Sequence, residues 1–262
     1  MVCMLIDTHI HLDCQADPAQ MLAAARAAGV GAWVVPGVEP RHWPQLLATV
    51  AANPGTLAAP GVHPQAADQW RPELAGALLA MAAERKTLAI GEVGLDGLAV
   101  PARAVQEQVF RGMIGIAREA GLPLLLHLRR ATGRALAILR EERAFEVGGI
   151  AHAYSGSLET ARQLLALGFV LGIGGVVTYP EARRLQAVVR DLPAEGLVLE
   201  TDAPDLPPHP HRRAGNRPEW LALVAARVAE LRGWSREETA RVTTANARRV
   251  LRLPKEEENG LP

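Results

Sequence analysis

The sequence predicts an α/β protein of the (β/α)8 TIM-barrel class, and three observations predict it. Eight short apolar runs alternate with longer segments of helical spacing along the whole chain. The runs are rich in Val, Ile and Leu and do not alternate with polar residues, as expected for parallel strands buried on both faces. Residues able to bind metal follow six different runs, and in a closed barrel those six strand ends meet on one face.

The strands are expected at Val2–Ile6, Ala32–Pro36, Leu57–Pro60, Leu88–Ile90, Leu124–Leu126, Gly149–Ala151, Phe169–Leu171 and Leu197–Leu199. Good helix formers fill the segments between them: Ala19–Ala28, Pro44–Ala52, Pro72–Arg85, Ala102–Ala120, Arg134–Glu142, Leu158–Leu167, Glu181–Asp191 and Glu219–Arg232. Gly29, Gly121, Gly168 and Gly233 stand where helix-ending glycines belong. A last helix, Ser235–Leu251, opens with the capping box Ser235-x-x-Glu238. An open doubly wound sheet would place a glycine-rich phosphate turn after the first strand; Thr8-His9-Ile10-His11 stands there instead.

At 262 residues the chain is long enough for one such barrel, expected over 1–253, with a charged, frayed tail over 254–262. No apolar run is long enough to span a membrane, and the N-terminus lacks the basic start of a secretory signal. Cys3 and Cys14 have no metal-knuckle spacing and read as free thiols of a cytoplasmic protein. The formal net charge is zero, so polyanion binding would need a local patch. His209–Arg217 is the one basic cluster, either a solvated loop or a phosphate grip. No obligate protein partner is expected.

His9 and His11, two apart on extended backbone, point the same way and can share a metal. Asp7 is expected to orient one of these imidazoles. Glu92 leaves its strand between two glycines, where a carboxylate can bridge two cations or merely cap a helix. His127 and His152 each end an apolar strand, and Asp202 can bind metal while accepting the proton of an attacking water. Four imidazoles and two carboxylates suit Zn²⁺, Mn²⁺, Co²⁺ or Ni²⁺, with Mg²⁺ a weaker fit. Two cations about 3.5–4 Å apart are a usual arrangement for phosphate-ester hydrolysis.

The motifs Asp7–Asp13, Gly61–Pro64, Gly91–Asp96, His127–Arg130, His152–Ser157 and Glu200–Pro204 resemble, in order, those of the TatD family of metal-dependent hydrolases, a branch of the amidohydrolase-like barrels. Residues 127–130, 172–180 and 216–218 are most similar to its YjjV-type branch. Arg130 and Arg217 stand where better-studied members carry Asp and Glu. The resemblance implies a metal on His9, His11, Glu92 and Asp202, with Glu92 bridging to a second on His127 and His152. It implies a divalent-metal-dependent deoxyribonuclease, in some members a 3′–5′ exonuclease, acting on a DNA end or small phosphoester. It also implies that His63, Arg129 and Asn216 face the substrate, although His63 and Asn216 would serve equally as loop caps and Arg129 as a core ion pair.

Two other readings stand beside it. Hydrolysis of a carbonyl substrate (ester, lactone or aminoacyl ester) is weakened for cyclic amides, because the only lysines are Lys86 and Lys255 and neither sits on a strand. A non-enzymatic scaffold would be expected to have lost at least one ligand, and all six are present.

Overall fold

The computed structural model describes residues 4–253, so Cys3, the start of the first expected strand and the 254–262 tail lie outside it. Eight parallel strands run in chain order: β1 (Leu5–Asp7), β2 (Val30–Pro36), β3 (Thr56–Ala59), β4 (Ile90–Asp96), β5 (Leu124–Arg129), β6 (Gly149–Ala151), β7 (Phe169–Ile173) and β8 (Leu197–Leu199). Regular ladders join β1–β2–β3 and β4 through β8. Scattered hydrogen bonds close the two seams. Leu88 donates to the Ala58 carbonyl (3.0 Å) and Gly91 to that of Pro60 (3.1 Å), joining β3 to β4. Thr8 donates to Leu199 (3.0 Å) and Asp202 to His9 (2.9 Å), joining β8 to β1.

The helices outside are α1 (Pro18–Ala27), α2 (Trp43–Ala52), α3 (Ala75–Ala82), α4 (Arg103–Ala120), α5 (Thr132–Glu141), α6 (Leu158–Ala166), α7 (Arg183–Asp191), α8 (Leu221–Arg232) and α9 (Arg236–Val250). None is long and apolar enough to cross a membrane among the described residues. Gly29, Gly121, Gly168 and Gly233 all take positive φ at helix ends. The Ser235 hydroxyl accepts from the Glu238 amide at 3.0 Å, as the capping box requires.

Two layers of packing follow from the strand period of two. Side chains facing outward join the helices in the main core, with Trp33, Phe110 and Phe169 fully buried. Side chains facing inward (Ile6, Val34, Leu57, Leu125, Ile150, Val170 and Val198) form a second cluster inside the barrel. Ala247, Val250 and Leu251 of the α9 segment cover its lower end. The barrel is therefore open only where its strands end.

The expected β4, Leu88–Ile90, is too early and too short. Gly91 and Gly94, expected where Glu92 leaves the strand, both lie within it. A Cβ at Gly91 would collide with Leu125, and one at Gly94 with the His127 carbonyl. These glycines allow β4 to press against β5, so Glu92 sits inside the strand rather than after it. β5 likewise runs on through His127 to Arg129.

Candidate metal centre

The open end of the barrel is lined by imidazoles and carboxylates. Glu92 stands at its middle, buried, with its two oxygens serving different neighbours. Oε2 lies 3.3 Å from His9 Nε2 and 3.8 Å from His11 Nε2. Oε1 lies 2.7 Å from His152 Nε2, contacts His127 Nδ1 and is 3.6 Å from His63 Nε2. Asp202 Oδ1 completes the first group, 3.6 Å from His9 Nε2 and 3.5 Å from His11 Nε2. Its backbone, at φ +60°, turns the chain sharply out of β8.

Imidazole nitrogens face one another at near contact. His9 and His11 Nε2 are 3.4 Å apart, and His127 Nδ1 and His152 Nε2 are 3.2 Å apart. Lone pairs this close need a shared proton or a shared cation between them. The set is buried, nitrogen-rich and carboxylate-bearing, and three subsets of it converge tightly: His9 with His152 and Asp202, His9 with His11 and Glu92, and His63 with Glu92 and His127. That donor set fits borderline divalent cations.

The electrostatics lead to the same conclusion. Burial alone would raise the Glu92 carboxyl, but His152, His9, His127 and His63 outweigh it and hold it well below the usual carboxylate range. Burial would depress His152, yet Glu92, by charge and hydrogen bond, raises it to about 10. Burial lowers His9 and His63 to about 4. Asp202 is held down against its burial by the His11 hydrogen bond and the His152 charge. The cluster thus draws positive charge to the space beside Glu92.

Two carboxylates behind the imidazoles were not singled out in the sequence. Asp96 Oδ2 lies 3.4 Å from His127 Nε2. Glu200, fully buried, accepts from the Ala153 amide and lies 3.8 Å from His152 Nδ1. Burial raises the Glu200 carboxyl to about 8. Any side chain at Gly172 would occupy the place of Glu200 Oε2. Asp96 and Glu200 face the outward ring nitrogens of His127 and His152 without hydrogen-bonding them, in the place from which outer carboxylates orient metal-binding imidazoles. The spacing that pairs His9 with His11 also pairs Glu200 with Asp202, and that signal was available.

Asp7 does not orient an imidazole. Its carboxylate accepts from the Thr201 amide (2.9 Å), the Thr201 hydroxyl (2.6 Å) and the His9 amide (3.3 Å), bracing β1 against the end of β8. Of the residues assigned to substrate, His63 and Arg129 line the central cavity, which has a volume of about 640 Å³. His63 Nδ1 also accepts from the Gln65 amide (3.1 Å), so it caps a turn as well. Arg129 is largely exposed, 3.7 Å from Asp96. Asn216 is not brought to the cluster: its amide donates to the carbonyls of Thr201 (2.6 Å) and Asp205 (2.8 Å), tying down the loop after β8. Lys86 bonds the Val50 carbonyl at 2.9 Å, away from the site. In the basic cluster, Arg212 pairs with Glu181 and lies over Tyr179, while His211 stacks on Trp220.

A closed (β/α)8 barrel with this cluster at its open end defines a metal-dependent hydrolase. The chain belongs to the TatD-related DNase family, whose profile matches residues 6–252. It is 38% identical over 255 residues to the metal-dependent hydrolase YabD of Bacillus subtilis, covering 95% of this chain and all of that one. It is 37% identical over 245 residues to the 3′-5′ ssDNA/RNA exonuclease TatD of Cronobacter sakazakii, covering 89% and 91%. The crystal structure of the TatD homologue YjjV from Escherichia coli superposes with a TM-score of 0.89 at 32% identity, covering 97% of this chain and all of that one.

Proposed function

We propose that the protein is a two-metal phosphodiesterase that removes nucleotides from the 3′ end of a single strand. The observation that carries this reading is the division of Glu92 between two donor groups, one with His9, His11 and Asp202 and the other with His127 and His152. Two divalent cations held there would supply an activated water and charge stabilisation at phosphorus.

The chain's own residues supply the rest. Asp202, kept ionised, stands beside the donors and takes the proton of the attacking water. His63 is neutral, and because its Nδ1 accepts from Gln65, its Nε2–H donates into the cavity toward a non-bridging phosphoryl oxygen. Arg129, exposed at the rim, meets the same phosphate or the next one. Asp96 and Glu200 stand behind the two imidazoles of the β5–β6 side and favour positive charge there. The carbonyl-substrate reading has no comparable feature in its favour. The exonuclease named among the relatives supports a nucleic-acid end as substrate.

The test is cleavage of single-stranded DNA labelled at either end, with Mg²⁺, Mn²⁺ or Zn²⁺ added. A ladder shortening from the 3′ end is expected. Turnover of esters or lactones with none of phosphodiesters would overturn the proposal.

A further inference from the structure

The loop after β8 separates two hollows. Asp205 and Leu206 border the central cavity, whereas Pro204 and Asn216 floor a second one, also about 640 Å³, between α1 and the Pro218–Trp220 turn. The Cα of Pro204 lies two peptide steps from that of Asp202, at most about 7.6 Å away. The hollows are therefore neighbours across one turn of chain.

The second hollow has an aromatic wall and free hydrogen-bonding groups. The His211 ring lies flat against Trp220, with centroids 4.2 Å apart and planes 8° apart. It is already ordered, so a planar ligand stacking there meets a braced surface. Arg217 stands 5.8 Å from the Trp220 ring, and its only ion pair among the described residues, to Glu219, is loose at 3.7 Å with the guanidinium largely exposed. Such a pair gives little up when a better anion arrives. From α1, the exposed Gln20 presents a side-chain amide with no hydrogen bond among the described residues, leaving both a donor and an acceptor free. Stacking rings, a free amide and a nearby guanidinium match a planar heterocycle with a polar edge and an attached phosphate.

We infer that this hollow is a second subsite, taking a nucleobase of the same single strand whose terminal phosphodiester lies at the Glu92 cluster. The inference rests on the phosphodiesterase reading. It places Arg217, which departs from better-studied relatives, beside that base, and gives His211 a role that the metal centre does not use. Base–aromatic stacking tolerates any sequence, so the subsite would sense strand length rather than base identity.

The experiment uses the metal-loaded full chain and a phosphorothioate-linked tetranucleotide carrying one 5-iodouracil per position in turn. Irradiation is expected to give an adduct on His211 or Trp220 from one position only. His211→Ala should weaken tetranucleotide binding about 10-fold, and Gln20→Ala, an exposed substitution on α1, about 3-fold. Adducts confined to the Glu92 cavity, or unchanged affinity in both variants, would overturn the subsite. Cleavage of an ordinary strand alongside that result leaves the phosphodiesterase reading standing. An adduct in the hollow without any cleavage supports the subsite and overturns the hydrolytic reading instead.

Discussion

The two ends of the barrel interior carry opposite chemistry on the same scaffold. At the lower end, Ile6, Leu57, Ile150 and Val198 pack under α9, with apolar groups meeting apolar groups. At the upper end, the continuations of the same strands hold five imidazoles around one carboxylate, with His9 and His11 Nε2 3.4 Å apart and His127 Nδ1 and His152 Nε2 3.2 Å apart. Facing nitrogen lone pairs crowded together in a buried site cost stability unless a proton or cation lies between them. A fold keeps them where a ligand completes them, so the lower end is read as stability and the upper end as function.

That contrast can be broken first at its centre. Glu92→Ala should lower turnover by at least about 10³-fold, the scale on which single preorganised charged groups act. Its circular dichroism should stay native, because the lower end is untouched. Full activity in this variant would end the mechanism. The complementary change, Ile150→Ala, should destabilise the fold by about 2–5 kcal/mol in a denaturant melt, with metal content unchanged. Loss of metal in Ile150→Ala would show that the two ends are not separable.

A smaller effect sharpens the electrostatics. Glu92 raises His152 from 6.5 to about 10 in the metal-free protein. That proton stabilises the metal-free fold fully below about pH 6.5, and its contribution is lost as pH rises toward 10. A cation must displace it, so metal affinity should rise with pH through this window and binding should release protons. Calorimetry in two buffers of different ionisation enthalpy reads this directly; identical heats would contradict it. Smallest of all, Ser235→Ala should cost about 1 kcal/mol at the start of α9, seen in the melt and not in turnover.

The architecture was legible in the sequence because strand and helix periods differ and the glycine caps are positional. Where it was not, the glycines misled: Gly91 and Gly94 read as the place where the chain leaves its strand, and only the neighbouring β5 shows that they permit close strand contact. At the site, the chain positions of the imidazoles pointed to one barrel face. Of their backing carboxylates, Glu200 could have been found from its spacing to Asp202, whereas Asp96 could not, since a buried acid's partner depends on which strand lies beside it. Asp7 shows the same limit. Its neighbour His9 is close in sequence, yet the carboxylate reaches across the barrel seam to Thr201. Asn216, too, is explained by loop carbonyls distant enough in sequence to be invisible to motif spacing.

The most direct test of the central claim is metal content, measured by elemental analysis on reconstituted wild-type protein and Glu92→Ala prepared side by side. If Glu92 joins two cation sites, the wild type holds close to two divalent ions per chain and the variant one or none. Two ions retained without Glu92, or a single ion in the wild type at saturation, would contradict the bridged pair.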